Sequence, residues 1–128
     1  MSSTMVRKRP KHLNLLQIRL PLPGIVSIMH RASGAVLFLL LPFLLWLFQS
    51  SLQSESAFAA FQATVSHPLM KLLLLGLLWG YLHHLCAGLR HLFLDLHIGI
   101  GLEAARRSSM AVLAVSLTLT LVIGVKLW

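Results

Sequence analysis

Three long stretches without charged side chains divide the sequence, and short polar segments separate them. A helix needs about 20 mainly apolar residues to cross the hydrocarbon core of a bilayer, because it rises only about 1.5 Å per residue. Each stretch approaches this length; they comprise residues 32–48, 72–89 and 108–125. With their flanking residues included, we expect three transmembrane helices at about 24–49, 67–95 and 106–127.

The polar segments complete the predicted organisation. Residues 1–23 form an N-terminal segment that Pro21 and Pro23 interrupt, and residues 24–127 form one transmembrane domain. The connection after the first span alternates Ser, Gln, Ala and Phe, which favours a short interfacial helix around residues 55–63. Pro42 lies inside the first span, where proline indicates a kink rather than an end. The predicted fold class is all-α.

Composition excludes a soluble domain. Of 128 residues, 57% are hydrophobic and only 11% charged, and the mean hydropathy is +0.83. Cys86 is the single cysteine. The chain therefore cannot form an intrachain disulfide, and it cannot hold zinc or an iron–sulfur cluster through cysteines.

The net charge of +8 is unevenly placed. Basic side chains concentrate before the first span and between the second and third spans: Arg7, Lys8, Arg9, Lys11, Arg19, Arg90, Arg106 and Arg107. The positive-inside rule then predicts a cytoplasmic N-terminus and a periplasmic C-terminus. Topology and contact with anionic lipid explain the basic residues, so we expect no nucleic-acid partner.

Ser27, His30 and Arg31 form the first polar group within a span. Their offsets of three and four place them on one side of a helix. A hydroxyl, an imidazole and a fixed positive charge suit a ligand with a carbonyl or carboxylate group. In the alternative, Arg31 extends to lipid phosphates and Ser27 satisfies a backbone carbonyl.

The second polar group is His84, Gly88, His91 and Asp95, which lie near one stripe of the second span. His84 is the deep member, and imidazole is among the few side chains that ligate haem iron. Gly88 leaves space beside it for a porphyrin edge. His83 points about 100° away on the helix, so only one of the two neighbouring histidines should reach the same ligand. A hydrogen bond between helices is the alternative role for a buried histidine.

Both groups lie about equally deep from the cytoplasmic side, which predicts a site near the inner leaflet. Two arrangements of axial ligands remain open at this point. His30 and His84 together ligate one haem, or His84 shares it with a partner subunit.

Three motifs resemble the membrane-anchor cytochrome b subunits of succinate dehydrogenase, the respiratory succinate:quinone oxidoreductase, nearly along the whole chain. The first is Arg9-Pro10-Lys-His-Leu13-Asn-Leu15. The second is Ser27-Ile-Met-His30-Arg31-Ala-Ser33-Gly34. The third is His84-x-x-x-Gly88-x-Arg90-His91-Leu92-x-x-Asp95. The second and third are specific in this order and spacing, whereas the first is weak alone.

The resemblance implies roles for the individual residues. His84 would be the axial ligand of haem b, and a second small anchor subunit would supply the other. His30 and Arg31 would lie near the haem propionates. Ser27 and Arg31 would help to bind ubiquinone, with Ser27 donating to a quinone carbonyl. Asp95 would belong to the nearby polar network.

The resemblance also implies electron transfer, and the lack of a long transit-like N-terminal segment favours a bacterial inner membrane. Succinate oxidation would belong to flavoprotein and iron–sulfur subunits docked on the cytoplasmic face, so this chain acts only as a subunit of the enzyme. One alternative is the anchor of a quinol:fumarate reductase, although a single haem position favours the succinate enzyme. Another is a non-catalytic scaffold or transporter subunit. Polar groups confined to one leaflet disfavour the transporter, and a scaffold would bind no chromophore and tolerate His84→Ala.

Overall fold

A computed structural model describes residues 18–128, and the described chain is entirely helical apart from its connections. Four helices follow one another: α1 (Leu22–Ser51), α2 (Glu55–Ser66), α3 (Pro68–Asp95) and α4 (Leu102–Leu127). Three of them, α1, α3 and α4, are long and apolar enough to cross a membrane. The all-α prediction with three spans is confirmed. The basic segment before residue 18, including the Arg9-Pro10 motif, lies outside the described residues.

Local sequence signals account for the helix boundaries. Pro21 precedes α1 in extended conformation. The side chain of Ser54 caps α2 by accepting the Ala57 N–H at 3.1 Å. His67 caps α3, since its Nδ1 accepts the Leu69 N–H at 3.3 Å and Pro68 occupies the first turn. The helix α1 continues through Pro42.

The last helix begins at Leu102, before the predicted start at residue 106. The prediction relied on the uncharged stretch, whereas charged residues form the first turns of the helix. Glu103 accepts a 3.1 Å hydrogen bond from Arg107 one turn later. Such i,i+4 pairs, and an acidic residue near the helix N-terminus, favour helical structure. Arg106 and Arg107 are therefore helical.

Helix α3 is the centre of the bundle, because it packs on both α1 and α4, while α2 contacts α1 and α3. The core is small and consists of Val26, Ala87 and Val112, one from each spanning helix. Small residues line the buried side of α4: Ser109, Ser116, Thr120 and Gly124. Their hydroxyls bond to carbonyls of their own helix, as at Thr120 to Ser116 (2.7 Å). Small side chains allow the close helix approach that drives association in lipid.

Arg90 links α3 to α4 by hydrogen bonds near the turn that joins the two helices. Its side chain is only 7% exposed. The Nε donates to Ser108 Oγ at 2.9 Å and Nη2 donates to the Ala105 carbonyl at 3.4 Å. From its position in the sequence, Arg90 was expected in the basic connection that faces the cytoplasm. It is instead a buried bridge between two spanning helices.

The turn after α3 ends the helix in a Schellman motif. The Ile98 N–H donates to the Phe93 carbonyl and the His97 N–H to the Leu94 carbonyl, both at 2.9 Å. His97 takes a φ of 60° in this motif. The left-handed region is normally occupied by glycine, because a side chain there meets the following carbonyl.

We predict that His97→Gly raises the unfolding temperature of the assembled complex, because glycine removes a backbone cost of about 1–2 kcal/mol at this position. Thermal unfolding of the purified complex measures the change. Leu96→Gly is the matched control, since Leu96 has a φ of −79° and gains nothing from glycine. A lower unfolding temperature for His97→Gly than for the unchanged protein would contradict this account of the turn.

Candidate functional site

Two histidines meet where the N-terminal part of α1 crosses the C-terminal half of α3. The rings of His30 and His84 are stacked, with centroids 4.2 Å apart and planes inclined by 13°. His91, two turns beyond His84, places its ring centroid 5.0 Å from that of His30. Members of both polar groups predicted from the sequence therefore form one cluster of imidazoles.

The Nδ1 atom of His84 lies 3.0 Å from the backbone carbonyl oxygen of His30. A carbonyl only accepts, so in this contact Nδ1 carries the hydrogen and donates it. Ser33 supports the contact, because its hydroxyl donates to the same carbonyl at 3.0 Å and lies 3.3 Å from His84 Nδ1. The bond fixes both the tautomer and the ring orientation, and it leaves the lone pair on Nε2.

The Nε2 atom of His84 is open to a ligand. Among the described residues, no hydrogen bond to this atom is formed, whereas Nδ1 has two partners. Within the same part of the chain, the buried polar side-chain atoms without a partner are Trp79 Nε1 and the two ring nitrogens of His83. His84 Nε2 is not one of them and keeps an accessible surface.

Gly34 permits this arrangement by its missing side chain. A Cβ atom at Gly34 would lie 2.7 Å from His84 Cε1 and 3.2 Å from Nδ1. Both distances are shorter than van der Waals contact allows. On the other helix, a Cβ at Gly88 would lie 3.5 Å from His30 Nε2. Gly34 therefore lets the His84 imidazole pack against the facing backbone, whereas a Cβ at Gly88 would be in ordinary contact with His30.

The stacked geometry argues against shared ligation of one haem iron by His30 and His84. An imidazole binds iron through a nitrogen lone pair that lies in the plane of its ring. Two histidines that ligate the same haem iron from opposite sides must therefore point their nitrogen lone pairs toward each other. In the stacked rings of His30 and His84, whose centroids are 4.2 Å apart, the lone pairs instead point along the two nearly parallel ring planes and not toward the other ring. In this arrangement only one of the two histidines can serve a given iron.

His83 is buried inside the bundle, although its neighbour His84 is only half-buried. Its side chain is 1% exposed, and its ring packs 5.7 Å from Trp79 within the bundle. Helix periodicity turns it away from the face that meets Gly34 and His30. The prediction that only one of the neighbouring histidines reaches the site agrees with this burial.

The other predicted site residues lie at the margin of the cluster. On α1, Ser27 is half-buried and Arg31 is exposed, one turn apart. Neither forms a hydrogen bond to His84 within the described structure. Asp95 ends α3 with an exposed side chain and forms no ion pair with a described residue. Its predicted place in the polar network remains a prediction.

Sequence reasoning missed the backbone carbonyl and the small residues that position His84. The His30 carbonyl holds His84, and no sequence pattern shows which backbone group will face a given imidazole. Ser33 and Gly34 entered the sequence analysis only as members of the second motif. Their spacing from His30, at offsets three and four, was the available signal, since it places them on the same face.

The residues present fit one side of a haem group. A single imidazole with its tautomer fixed through Nδ1 and its Nε2 accessible is a suitable axial ligand. Within residues 18–128, no cluster of three or more His, Cys, Asp or Glu side chains could hold a bare metal ion.

The fold and site define a small three-span membrane protein with an interhelical histidine site of cytochrome b type. The family model of the succinate dehydrogenase/fumarate reductase transmembrane subunit matches residues 5–123. The chain belongs to this family. The resemblance drawn from the motifs is thereby confirmed, and with it the succinate dehydrogenase cytochrome b membrane subunit as the type of protein.

Individual relatives agree over nearly their full length. The succinate dehydrogenase cytochrome b556 subunit of Paracoccus denitrificans is 39% identical over 111 residues, which are 87% of this chain and 85% of that protein. The subunit of the same name from Coxiella burnetii is 35% identical over 125 residues, covering 97% and 100% respectively. That of Rickettsia prowazekii is 28% identical and covers 92% of each chain.

We predict that Gly34→Ala destabilises the assembled complex by about 1–3 kcal/mol, the usual cost of overpacking. The added methyl group would overlap the His84 ring and displace it from the His30 carbonyl. Thermal unfolding measures the loss. Gly80→Ala is the control, because a Cβ there meets no atom within 4 Å. Equal effects of the two substitutions would contradict the close approach at Gly34.

Proposed function

We propose that this chain, with a second small anchor subunit, holds haem b in a succinate:quinone oxidoreductase and contributes to the site of ubiquinone reduction. One observation carries the proposal: His84 Nδ1 donates to the His30 carbonyl at 3.0 Å and leaves Nε2 for iron. The names of the relatives, which are succinate dehydrogenase cytochrome b556 subunits, support the succinate enzyme over the fumarate reductase.

His84 would hold the iron from one side, and a histidine or similar ligand of the second anchor subunit would hold it from the other. His30 would not be an iron ligand in this arrangement. Its ring supports His84 by stacking, and it would lie with Arg31 near the haem propionates, where the positive charge of Arg31 suits the carboxylates. Haem b supplies one-electron transfer when it is bound.

Ser27 and Arg31 would bind the quinone at the edge of the membrane. Ser27 is half-buried and Arg31 exposed on the same face of α1. The Ser27 hydroxyl would donate to a quinone carbonyl. The fixed charge of Arg31 would stabilise the negative charge that develops on the quinone oxygen during reduction, as preorganised donors do at other sites of developing charge.

The partners follow from what the chain lacks. With Cys86 as its one cysteine, it provides no cysteine-ligated iron–sulfur cluster. Flavoprotein and iron–sulfur subunits would oxidise succinate and dock on the cytoplasmic face of a bacterial inner membrane. The positive residues near the α3–α4 turn support this orientation, with the N-terminus inside and the C-terminus in the periplasm.

We predict that His84→Gln alters or abolishes the b-type band in a reduced-minus-oxidised visible spectrum of the purified complex, because glutamine cannot replace the imidazole at the iron. The matched control is His83→Gln, which changes the neighbouring buried residue and should keep the band. An unchanged band in His84→Gln, or a loss only in His83→Gln, would contradict the assignment. A fully assembled complex without any haem band would favour the scaffold alternative.

We predict that Ser27→Ala and Arg31→Gln each lower succinate:quinone reductase activity by about tenfold or more, on the scale of lost donors at developing charge. Succinate oxidation with a soluble artificial acceptor, which bypasses the quinone site, should be unchanged. Ser50→Ala, at the opposite end of α1, is the control and should keep both activities. Equal losses with both acceptors would contradict a role at the quinone.

A further inference from the structure

A groove of about 580 Å³ lies between the C-terminal half of α3, the following turn and the N-terminal half of α4. This volume is within the roughly 300–1,000 Å³ range of small-molecule sites. The wall is mainly apolar, and its deep part is formed by residues such as Cys86, Ala111 and Val115. Arg90 and Arg107 also line it, one to two turns closer to the connecting turn. The groove therefore combines an apolar channel with two cations.

Arg90 is a buried cation without a carboxylate partner in the described structure. Its two bonds go to the neutral oxygens of Ser108 and Ala105, and the side chain is 7% exposed. A charge at membrane depth is costly unless an opposite charge or a polar surface compensates it. Arg90 is also one of the residues that line the groove, so an anion bound there would provide the missing compensation.

Arg107 can also contact an anion in the groove, because its ion pair with Glu103 is weak. It pairs with Glu103 at 3.1 Å, and the two side chains are 75% and 79% exposed. Exposed pairs of this kind contribute little stability, so the guanidinium is free to turn toward an anion in the groove. The two cations reach the groove from different helices and could contact one phosphate together.

We propose that this groove binds a phospholipid with a net negative headgroup. The phosphate would lie at Arg90 and Arg107, and an acyl chain would follow the apolar deep part. The observations favour a lipid because the site is itself amphiphilic and lies between two helices that are long and apolar enough to span a membrane. Basic pockets between spanning helices are known to bind such headgroups. The proposal requires only the membrane placement and is independent of haem binding.

Photoactivatable phosphatidylglycerol and phosphatidylcholine, added separately to the whole complex in membranes, test the proposal. Crosslinks are located by peptide mass spectrometry. Phosphatidylglycerol should label the segment 86–115 about five-fold more than phosphatidylcholine, which is the effect expected of one cation near the surface. The ratio should fall toward one in Arg107→Gln. Arg106→Gln is the matched control, because Arg106 is exposed but does not line the groove, and should keep the preference.

Arg90→Gln should also lower the ratio. If that variant does not assemble because the bridge to α4 is lost, Arg107→Gln still decides the question. Equal labelling by both lipids would overturn the proposal, as would equal effects of the Arg106 and Arg107 substitutions. Crosslinking of this segment mainly to another subunit would overturn it too, since a protein would then occupy the groove. The haem spectrum of each variant, recorded separately, keeps the tests of haem and lipid independent.

Discussion

The hydrogen bond from His84 Nδ1 to the His30 carbonyl is the constraint on which the site depends. It joins α1 to α3 at membrane depth, where few polar contacts are available and each satisfied group limits how the helices can pack. The same bond fixes the tautomer of His84. The mutual position of the two helices and the direction of the free nitrogen are therefore set by one contact, which Ser33 supports and Gly34 makes sterically possible.

The two sides of α3 have different roles: one forms the candidate site, and the other holds the helix in the bundle. One side meets α1 through imidazoles and glycines. The other meets α4 through small residues and through the Arg90 bridge to Ser108. Because the hydroxyls of α4 bond to their own helix, that side needs few polar contacts across the interface. The α4 helix thus holds α3 in place, while α1 completes the site.

Hydrophobic patterning predicted the three spans, since length and charge exclusion are strong signals in a bilayer. It predicted the start of α4 poorly, because Glu103, Arg106 and Arg107 are charged yet helical. Offsets along each helix grouped His84 with His91, and the rings of both lie close to His30. The offsets could not show that the rings of His30 and His84 stack, or that a backbone carbonyl holds His84. Arg90 was misjudged for the same reason: its partners, Ser108 and Ala105, lie on another helix, and no sequence spacing reveals them.

The most direct test of the central claim is a high-resolution cryo-electron microscopy structure of the assembled, haem-loaded complex. The account predicts iron at Nε2 of His84, the Nδ1 of the same ring still about 3.0 Å from the His30 carbonyl, and the second axial ligand from the other anchor subunit. Iron bound to His83 or His30 would contradict it. A His84 ring that binds iron through Nδ1 would also contradict the account. In that case the hydrogen bond from Nδ1 to α1 could not orient the ligand.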